Sequence, residues 1–173
     1  MMMMMATKAK DAGRRVAVGS DRRGEEVARH VLMLLQSDGL EVLLRDGASE
    51  IVGRADYADE AWRVATAVAR GDADLGILIS GSAIGMSITA NKVPGARAVI
   101  AHDEWIVRRA RAHHYCNVLC IPADLIGLPY CRTILDTWIG TEFEGGRHER
   151  RVSKIGMVER GEDPSECSDC ESP

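Results

Sequence analysis

The sequence predicts an α/β protein in which helices cover both faces of a five-stranded parallel sheet. Short apolar, β-branched runs alternate with longer segments of helical periodicity, and their spacing is typical of βαβ units. The length of 173 residues suits one domain with a substantial core. Aromatic residues make up only 4% of the chain, so we expect aliphatic side chains to build that core.

The first half of the chain supplies two strands and two helices before the central strand. Strands are predicted over residues 16–20 and 41–44, with a polar loop over 45–56. The helix between the two strands ends at Asp38-Gly39. The next helix ends at Gly71. Each helix has one apolar face, formed in the first by Val27, Val31, Leu34 and Leu35 and in the second by Ala61, Val64, Ala65 and Val68.

The second half continues the same alternation. A third strand ends in the small residues Ser80–Gly85, where a helix begins, and Pro94-Gly95 breaks the chain. Two more strands are predicted over residues 96–100 and 118–121, and helices over 104–114 and about 129–139. A last helix begins near Gly146 and carries Val152 and Ile155.

Both ends of the chain differ in composition from the body. We expect a disordered leader over residues 1–13, one domain over 14–158 and an acidic, disordered tail over 159–173. The tail has six acidic residues and one basic residue against a net charge of -4 for the chain, so the body is nearly neutral and offers no nucleic-acid or membrane surface. No signal or transmembrane segment is visible, which predicts a cytoplasmic protein with reduced thiols. The tail pair Cys167 and Cys170 is weak evidence for zinc or redox chemistry.

Polar residues follow three of the predicted strands. They are Asp21 and Arg22 after the first, Ser80–Gly85 after the third, and His102 and Asp103 after the fourth. Strands of a parallel sheet end at one edge, where ligands bind, so we expect these residues to converge. The Ser80–Gly85 turn and its helix N-terminus favour an anion, with Ser80 and Ser82 best placed to touch it. His102-Asp103 has an alternative interpretation as the cap of the following helix.

Standard catalytic motifs are missing from the sequence. Residues 81–85 match neither the dinucleotide fingerprint, the P-loop nor the serine-hydrolase elbow, and no zinc-protease spacing occurs. A nucleotide enzyme, a serine hydrolase and a metalloenzyme are therefore less favoured. Arg147 and Arg151 lie four residues apart on one helix face, where two guanidinium groups suit a phosphate. A solvated basic face is the alternative.

Two segments resemble the family of ribose-5-phosphate isomerase B and galactose-6-phosphate isomerase. They are Gly85-Met-Ser-Ile-Thr-Ala-Asn-Lys-Val-Pro-Gly95 and Thr141-Glu-Phe-Glu-Gly-Gly-Arg-His148, and the likeness extends from about Arg15 to Ile155. The resemblance implies a Rossmann-like fold and a homodimer or dimer of dimers with sites shared between subunits. It also implies isomerisation of a sugar phosphate through a cis-enediolate, without metal or nucleotide.

The resemblance also assigns roles to individual residues. Asp21 and His113 would open the sugar ring, while hydroxyl and N–H groups of the loop at Ser80 and Ser82 would stabilise the enediolate. The remaining positions would bind substrate, and they are Tyr57, Gly81, Ala83, Gly85, Asn91, Arg147 and Arg151. Ribose 5-phosphate is the expected substrate, although Ala83 and His114 make another pentose, tetrose or hexose phosphate an option.

The sequence departs from the family pattern where the proton-transfer base is expected. Ser80 stands in place of the family's cysteine, and Ile84 replaces the glutamate that some members with serine use instead. A serine hydroxyl needs an activating partner to take a proton. One hypothesis is an active isomerase in which His114 or Asp21 moves the proton. The other is a non-catalytic binder or subunit.

Two further departures concern charge. Arg22 replaces a histidine, and Asp124 replaces an arginine that the family uses for phosphate. Either Arg22 takes over phosphate binding, or Arg22 and Asp124 form a salt bridge between subunits.

Overall fold

A computed structural model describes residues 13–43 and 56–167. The predicted leader, except Gly13, and most of the predicted polar loop lie outside the described residues. The strands are β1 (Arg15–Ser20), β2 (Glu41–Leu43), β3 (Leu75–Ser80), β4 (Ala98–Ile100) and β5 (Val118–Pro122). The helices are α1 (Glu25–Ser37), α2 (Tyr57–Ala69), α3 (Ile84–Ala90), α4 (Glu104–His114), α5 (Leu128–Gly140) and α6 (Arg147–Glu159).

The five strands form one parallel sheet in the order β2-β1-β3-β5-β4. The chain runs outward from β1 to β2 and then crosses back to β3, so the strand order reverses between β1 and β3. In register, Ser20 lies opposite Ile79, and Ser80 lies opposite Pro122. The carboxyl ends of β1, β3 and β5 are therefore level, and they meet where open α/β sheets bind ligands.

The core has two layers, one on each face of the sheet. Val18, Ile77 and Ile79 pack with α1, α4 and α5 on one face. Ala17 and Leu78 pack with α2 and α3 on the other face. This alternation follows from the period of two along a strand. It confirms the predicted three-layer α/β fold with five parallel strands.

The structure departs from the predicted elements at two places. The strand predicted over 96–100 begins at Ala98, because Ala96 still donates its N–H to Val93 in the preceding turn. The tail predicted to be disordered contains a 3₁₀ helix at Pro164–Glu166 that packs against α6. Asp163 caps this helix by accepting a hydrogen bond from the N–H of Ser165 at 2.8 Å. Within the described residues, no helix is both long enough and apolar enough to cross a membrane.

Candidate active site

A cleft of about 360 Å³ lies at the carboxyl ends of β1 and β3. Six of the predicted site residues line it, and they are Asp21, Tyr57, Ser80, Gly81, Ser82 and Gly85. They come from three separate parts of the sequence. The convergence of strand ends that the sequence predicts therefore occurs for β1 and β3. His102-Asp103 instead follows the capping interpretation, since Asp103 accepts a hydrogen bond from the N–H of Ile106 at 2.7 Å.

Asp21 is held rigidly at the end of β1. Its Oδ1 accepts hydrogen bonds from the backbone N–H groups of Arg23 at 2.9 Å and Gly24 at 3.0 Å. Its own N–H donates to the carbonyl of Ile79 on β3 at 3.2 Å. These bonds orient the carboxylate and occupy only one of its oxygens. The second oxygen is thus available to a ligand in the cleft.

The turn after β3 is tight and partly strained. Ala83 has a φ of 62°, in the left-handed region, which costs an alanine about 1–2 kcal/mol. The buried Ser80 accepts a hydrogen bond on Oγ from the N–H of Ala83 at 3.1 Å, and that bond holds the turn. Ser82 is exposed and accepts from the N–H of Ile84 at 3.4 Å. Ser80 is thereby a structural acceptor, and Ser82 presents its side chain to the cleft.

Two glycines in this turn permit close approach of other cleft residues. A Cβ at Gly85 would lie 2.5 Å from the ring of Tyr57. A Cβ at Gly81 would lie 2.7 Å from Nε of Arg23 and 2.9 Å from a carboxylate oxygen of Asp124. Glycine at both positions therefore lets these side chains lie directly over the turn.

Arg23 also lines the cleft, although it is not among the predicted site residues. Its Nη2 lies 2.8 Å from Oδ2 of Asp124, and both side chains line the cleft. Arg22 is exposed and is not among the described lining residues. An exposed ion pair contributes at most about 1 kcal/mol of stability, so the pair chiefly positions a guanidinium beside Gly81. No motif marks Arg23, because only the 3₁₀ turn after Asp21 directs it into the cleft. A bridge between Arg22 and the Asp124 of another subunit stays a prediction.

Four more of the predicted residues, His113, His114, Arg147 and Arg151, lie in a cluster at the end of α4 and the start of α6. The rings of His113 and His148 stack at 4.0 Å with an interplanar angle of 11°. The carboxylate of Glu144 lies 3.4 Å from Nε2 of His113 and 3.7 Å from Nε2 of His148. Burial lowers the pKa of His148, and the charges of His113 and Arg147 lower it further. Neither His148 nor Glu144 is among the predicted site residues, because only the fold places them beside His113.

The other members of this cluster are exposed. Arg147 and Arg151 are exposed on the first turns of α6, and their charges reach His148. His114 is also exposed, with its ring centroid 6.3 Å from that of His113. None of these residues is among the described lining of the cleft. One chain therefore does not bring His113, His114, Arg147 and Arg151 to Asp21 and Ser80.

Asn91 is not part of the cleft either. It lies at the end of α3 away from the Ser80–Gly85 turn. Its amide donates to the carbonyls of Ser87 and Ala98, each at 3.0 Å, and accepts from the N–H of Ala98 at 2.8 Å. These bonds tie α3 to the start of β4, and the predicted substrate-binding role of Asn91 stays a prediction.

The chemistry of other candidate groups is limited by their surroundings. The donor atoms of His113, Glu144 and His148 lie within 4.8 Å of one another, a spacing that a metal ion can use. However, nearly parallel stacked rings do not aim their lone pairs at one point, and Arg109 adds a positive charge 3.1 Å from Nε2 of His113. Both features disfavour a metal ion at this cluster.

The Cys116 thiol is not a ready nucleophile. Burial raises its pKa to about 11, so it stays protonated near neutral pH.

The chain is similar to known proteins over most of its length. A sequence model of the family described as Ribose/Galactose Isomerase matches residues 16–155. Ribose-5-phosphate isomerase B of Escherichia coli is 37% identical over 85% of this chain and 97% of its own. D-erythrulose-4-phosphate isomerase of Pectobacterium atrosepticum is 36% identical over 85% and 96%. The solved ribose-5-phosphate isomerase B of Clostridium thermocellum is 38% identical, with a TM-score of 0.79 over 85% of this chain and 98% of that chain.

Proposed function

The chain belongs to the ribose/galactose isomerase family, and we propose on this premise that it interconverts an aldose phosphate and a ketose phosphate. The observation that carries this proposal is the cleft in which Asp21 meets the Ser80–Gly85 turn. Ribose 5-phosphate and ribulose 5-phosphate form the first substrate pair to test. A tetrose phosphate is a further candidate, because one relative is named for erythrulose 4-phosphate.

The proposed reaction moves one proton from C2 to C1 of the substrate and one from the C2 oxygen to the C1 oxygen. A base removes the proton from C2 of the open-chain aldose, the electron pair forms the C1–C2 double bond of a cis-enediolate, and the C1 oxygen takes the negative charge. Protonation at C1, with transfer of the C2 hydroxyl proton to the C1 oxygen, then gives the ketose. Electrons stay within the sugar, so no external oxidant is needed. N–H and hydroxyl groups of the Ser80–Gly85 turn are suited to the negative oxygen, in the manner of an oxyanion hole.

Phosphate binding in this proposal requires a second copy of the chain. Arg147 and Arg151 present two guanidinium groups but lie outside the cleft of their own subunit. A homodimer or dimer of dimers would bring them, with His113, to the partner's cleft. Arginine binds phosphate bidentately, which suits this pair. Ring opening would then use Asp21 from one subunit and His113 from the other.

The base in this proposal is Asp21 or His114. Asp21 has one carboxylate oxygen without a described hydrogen bond, and it faces the cleft. His114 is exposed beside His113 and would enter the site with that residue. Imidazole has an ordinary pKa of about 6.5, which suits proton transfer near neutral pH. Ser80 is not assigned this role, because its described contact is the Ala83 N–H and not a base.

Exchange of the C2 proton tests the proposed activity. The purified protein is incubated in heavy water with ribose 5-phosphate, erythrose 4-phosphate or galactose 6-phosphate, and deuterium at C2 is followed by NMR. We expect enzyme-dependent exchange and ketose formation with at least one of these sugars. Protein denatured by heat serves as the control. No exchange with any of them would contradict isomerase activity for this chain alone.

A non-catalytic sugar-phosphate binder is the second candidate function. The observation that favours it is the environment of Ser80. Its buried hydroxyl accepts a hydrogen bond from a backbone N–H, and the exposed Ile84 offers no carboxylate. A hydroxyl in this setting is not activated as a base. Such a protein would bind sugar phosphates in the same cleft and show no exchange.

The variant Ser80→Cys separates the two candidates. A thiol has an ordinary pKa of about 8.5 and supplies thiolate at mildly alkaline pH, which a serine hydroxyl does not. If only the base is missing, we expect exchange to appear in this variant and to rise with pH. Ser82→Cys is the matched control, since it places a thiol two residues away on the same turn. Equal exchange in both variants would argue against a specific role for position 80.

A further inference from the structure

A second cavity, of about 340 Å³, lies at the opposite edge of the sheet from the cleft. It is surrounded by residues at or just before the amino ends of four strands. Arg14 precedes β1, Asp74 precedes β3, Arg97 precedes β4 and Asn117 precedes β5. Arg111, from the last turn of α4, adds a further guanidinium group to the cavity wall. The proposed isomerase chemistry uses none of these residues.

The cavity carries positive charge that its carboxylate does not balance. Asp74 already binds Arg15, with one oxygen 2.8 Å from Nη2 and the other 2.8 Å from the backbone nitrogen. The described hydrogen bonds of the Arg97 and Arg111 side chains go to backbone carbonyls. Arg97 donates from Nε to Tyr115 at 2.9 Å, and Arg111 donates from Nη1 to Cys116 at 2.7 Å. Carbonyl groups orient guanidinium groups but do not neutralise them.

Among these charged groups, Arg111 has the highest free-energy cost of burial. Only 8% of the residue is exposed, and its Nε has no hydrogen-bond partner within the described part of the chain. Its guanidinium carbon lies 5.1 Å from the centroid of the Trp138 ring. Burial lowers the pKa of Arg111, and the charges of Arg14 and Arg97 lower it further. A buried charge surrounded by like charges is stabilised by a bound anion.

The wall of this cavity also contains an aromatic residue, Tyr115. It ends α4 in the left-handed conformation common at helix C-termini, with a φ of 50° and its N–H bonded to the carbonyl of Ala110. Its ring centroid lies 5.2 Å from the guanidinium carbon of Arg97, and the ring stacks on Phe143 at 4.7 Å. The volume is at the lower end of the range for small-molecule pockets, which favours a compact ligand.

We propose that this cavity is a second anion-binding site that takes a phosphate dianion, either free or as a small phosphate monoester. Guanidinium groups match phosphate because their paired N–H groups bind its oxygens bidentately. A dianion also balances the charges of both Arg97 and Arg111, whose described hydrogen bonds go to neutral carbonyls, whereas a monocarboxylate balances one. The site is separate from the catalytic cleft, since the two cavities lie at opposite edges of the sheet.

Calorimetric titration with inorganic phosphate tests this site in the full-length variant Arg147→Ala/Arg151→Ala, which removes the proposed substrate-phosphate pair. We expect one saturable phosphate per chain to remain. In that background, Arg14→Gln and Arg97→Gln are each expected to weaken phosphate binding about tenfold, since one charge-assisted contact is lost. Arg70→Gln, on the exposed end of α2, is the matched control and should leave the affinity unchanged.

Three results would overturn the proposal. The first is a loss of all saturable phosphate binding in Arg147→Ala/Arg151→Ala. The second is equal affinity in the Arg14→Gln, Arg97→Gln and Arg70→Gln variants, with circular dichroism showing that all are folded. The third is equally tight binding of acetate at matched ionic strength. A titration with ribulose 5-phosphate then shows whether a monoester enters the cavity as well as free phosphate.

Discussion

Simultaneous replacement of Arg147 and Arg151 by alanine is expected to lower kcat/KM for the sugar phosphate by about 100-fold or more. Each charge-assisted hydrogen bond to a phosphate contributes about 1.5–3 kcal/mol, so losing two removes about 3 kcal/mol at the least. The loss should appear largely in KM, because the phosphate is remote from the reacting carbons and is bound in both ground and transition states. Initial rates over a range of substrate concentrations separate KM from kcat.

The stability of this double variant should be close to that of the wild type. Both side chains are exposed, and surface substitutions usually change the free energy of unfolding by less than about 0.5 kcal/mol. Arg70→Ala is the control for loss of a surface arginine. If the double variant keeps kcat/KM within threefold of the wild type, the phosphate lies elsewhere. Arg23 beside Gly81 would then be the cation to test next.

Substitution of Gly24 by alanine is expected to destabilise the protein by about 3 kcal/mol, at the upper end for an overpacked core position. A Cβ at this position would lie 2.4 Å from the carbonyl oxygen of Ile79 and 2.6 Å from its carbonyl carbon. Both atoms belong to the backbone of β3, so no side-chain rotation relieves the clash. Thermal unfolding should show a Tm lower by roughly 6–12 °C for a chain of this size.

The same clash should also reduce activity, because it lies beside the cleft. The carbonyl of Ile79 accepts the N–H of Asp21, and Ser80 follows Ile79 directly. Moving this strand end therefore displaces two predicted site residues together. Gly156→Ala is the matched control, since it lies within α6 and its Cβ would meet only the flexible end of Arg160 at 3.4 Å. A Tm of Gly24→Ala equal to that of Gly156→Ala would contradict this account.

Local patterns were sufficient for most of the elements and for six of the residues that line the cleft. Helix α4 runs over Glu104–His114 as predicted, because its apolar period and its Asp103 cap are both local in sequence. The approach of Asp21 to Ser80 was predictable for a different reason. Strands in a parallel sheet have a common direction, so residues after β1 and β3 must share an edge.

Local patterns failed where side-chain direction depends on packing. Arg22 and Arg23 are adjacent and chemically identical, yet only the turn geometry after Asp21 places Arg23 in the cleft. Asn91 belongs to a segment that carries the family resemblance, but its amide is used to hold β4. His148 follows Arg147, and only the packing of α6 against α4 stacks it on His113.

Periodicity and motifs are properties of neighbouring residues, so they were enough to predict the fold class, the succession of strands along the chain and the family. They also predicted that Ser80 occupies the position of the family's cysteine base. The tertiary structure sets which residues share a cavity. It separated the cleft at Asp21 and Ser80 from the cluster at His113 and His148, and it revealed the arginine-lined cavity at the other sheet edge. These juxtapositions join residues far apart in the chain, and long-range packing, which no local pattern encodes, sets the direction of each side chain.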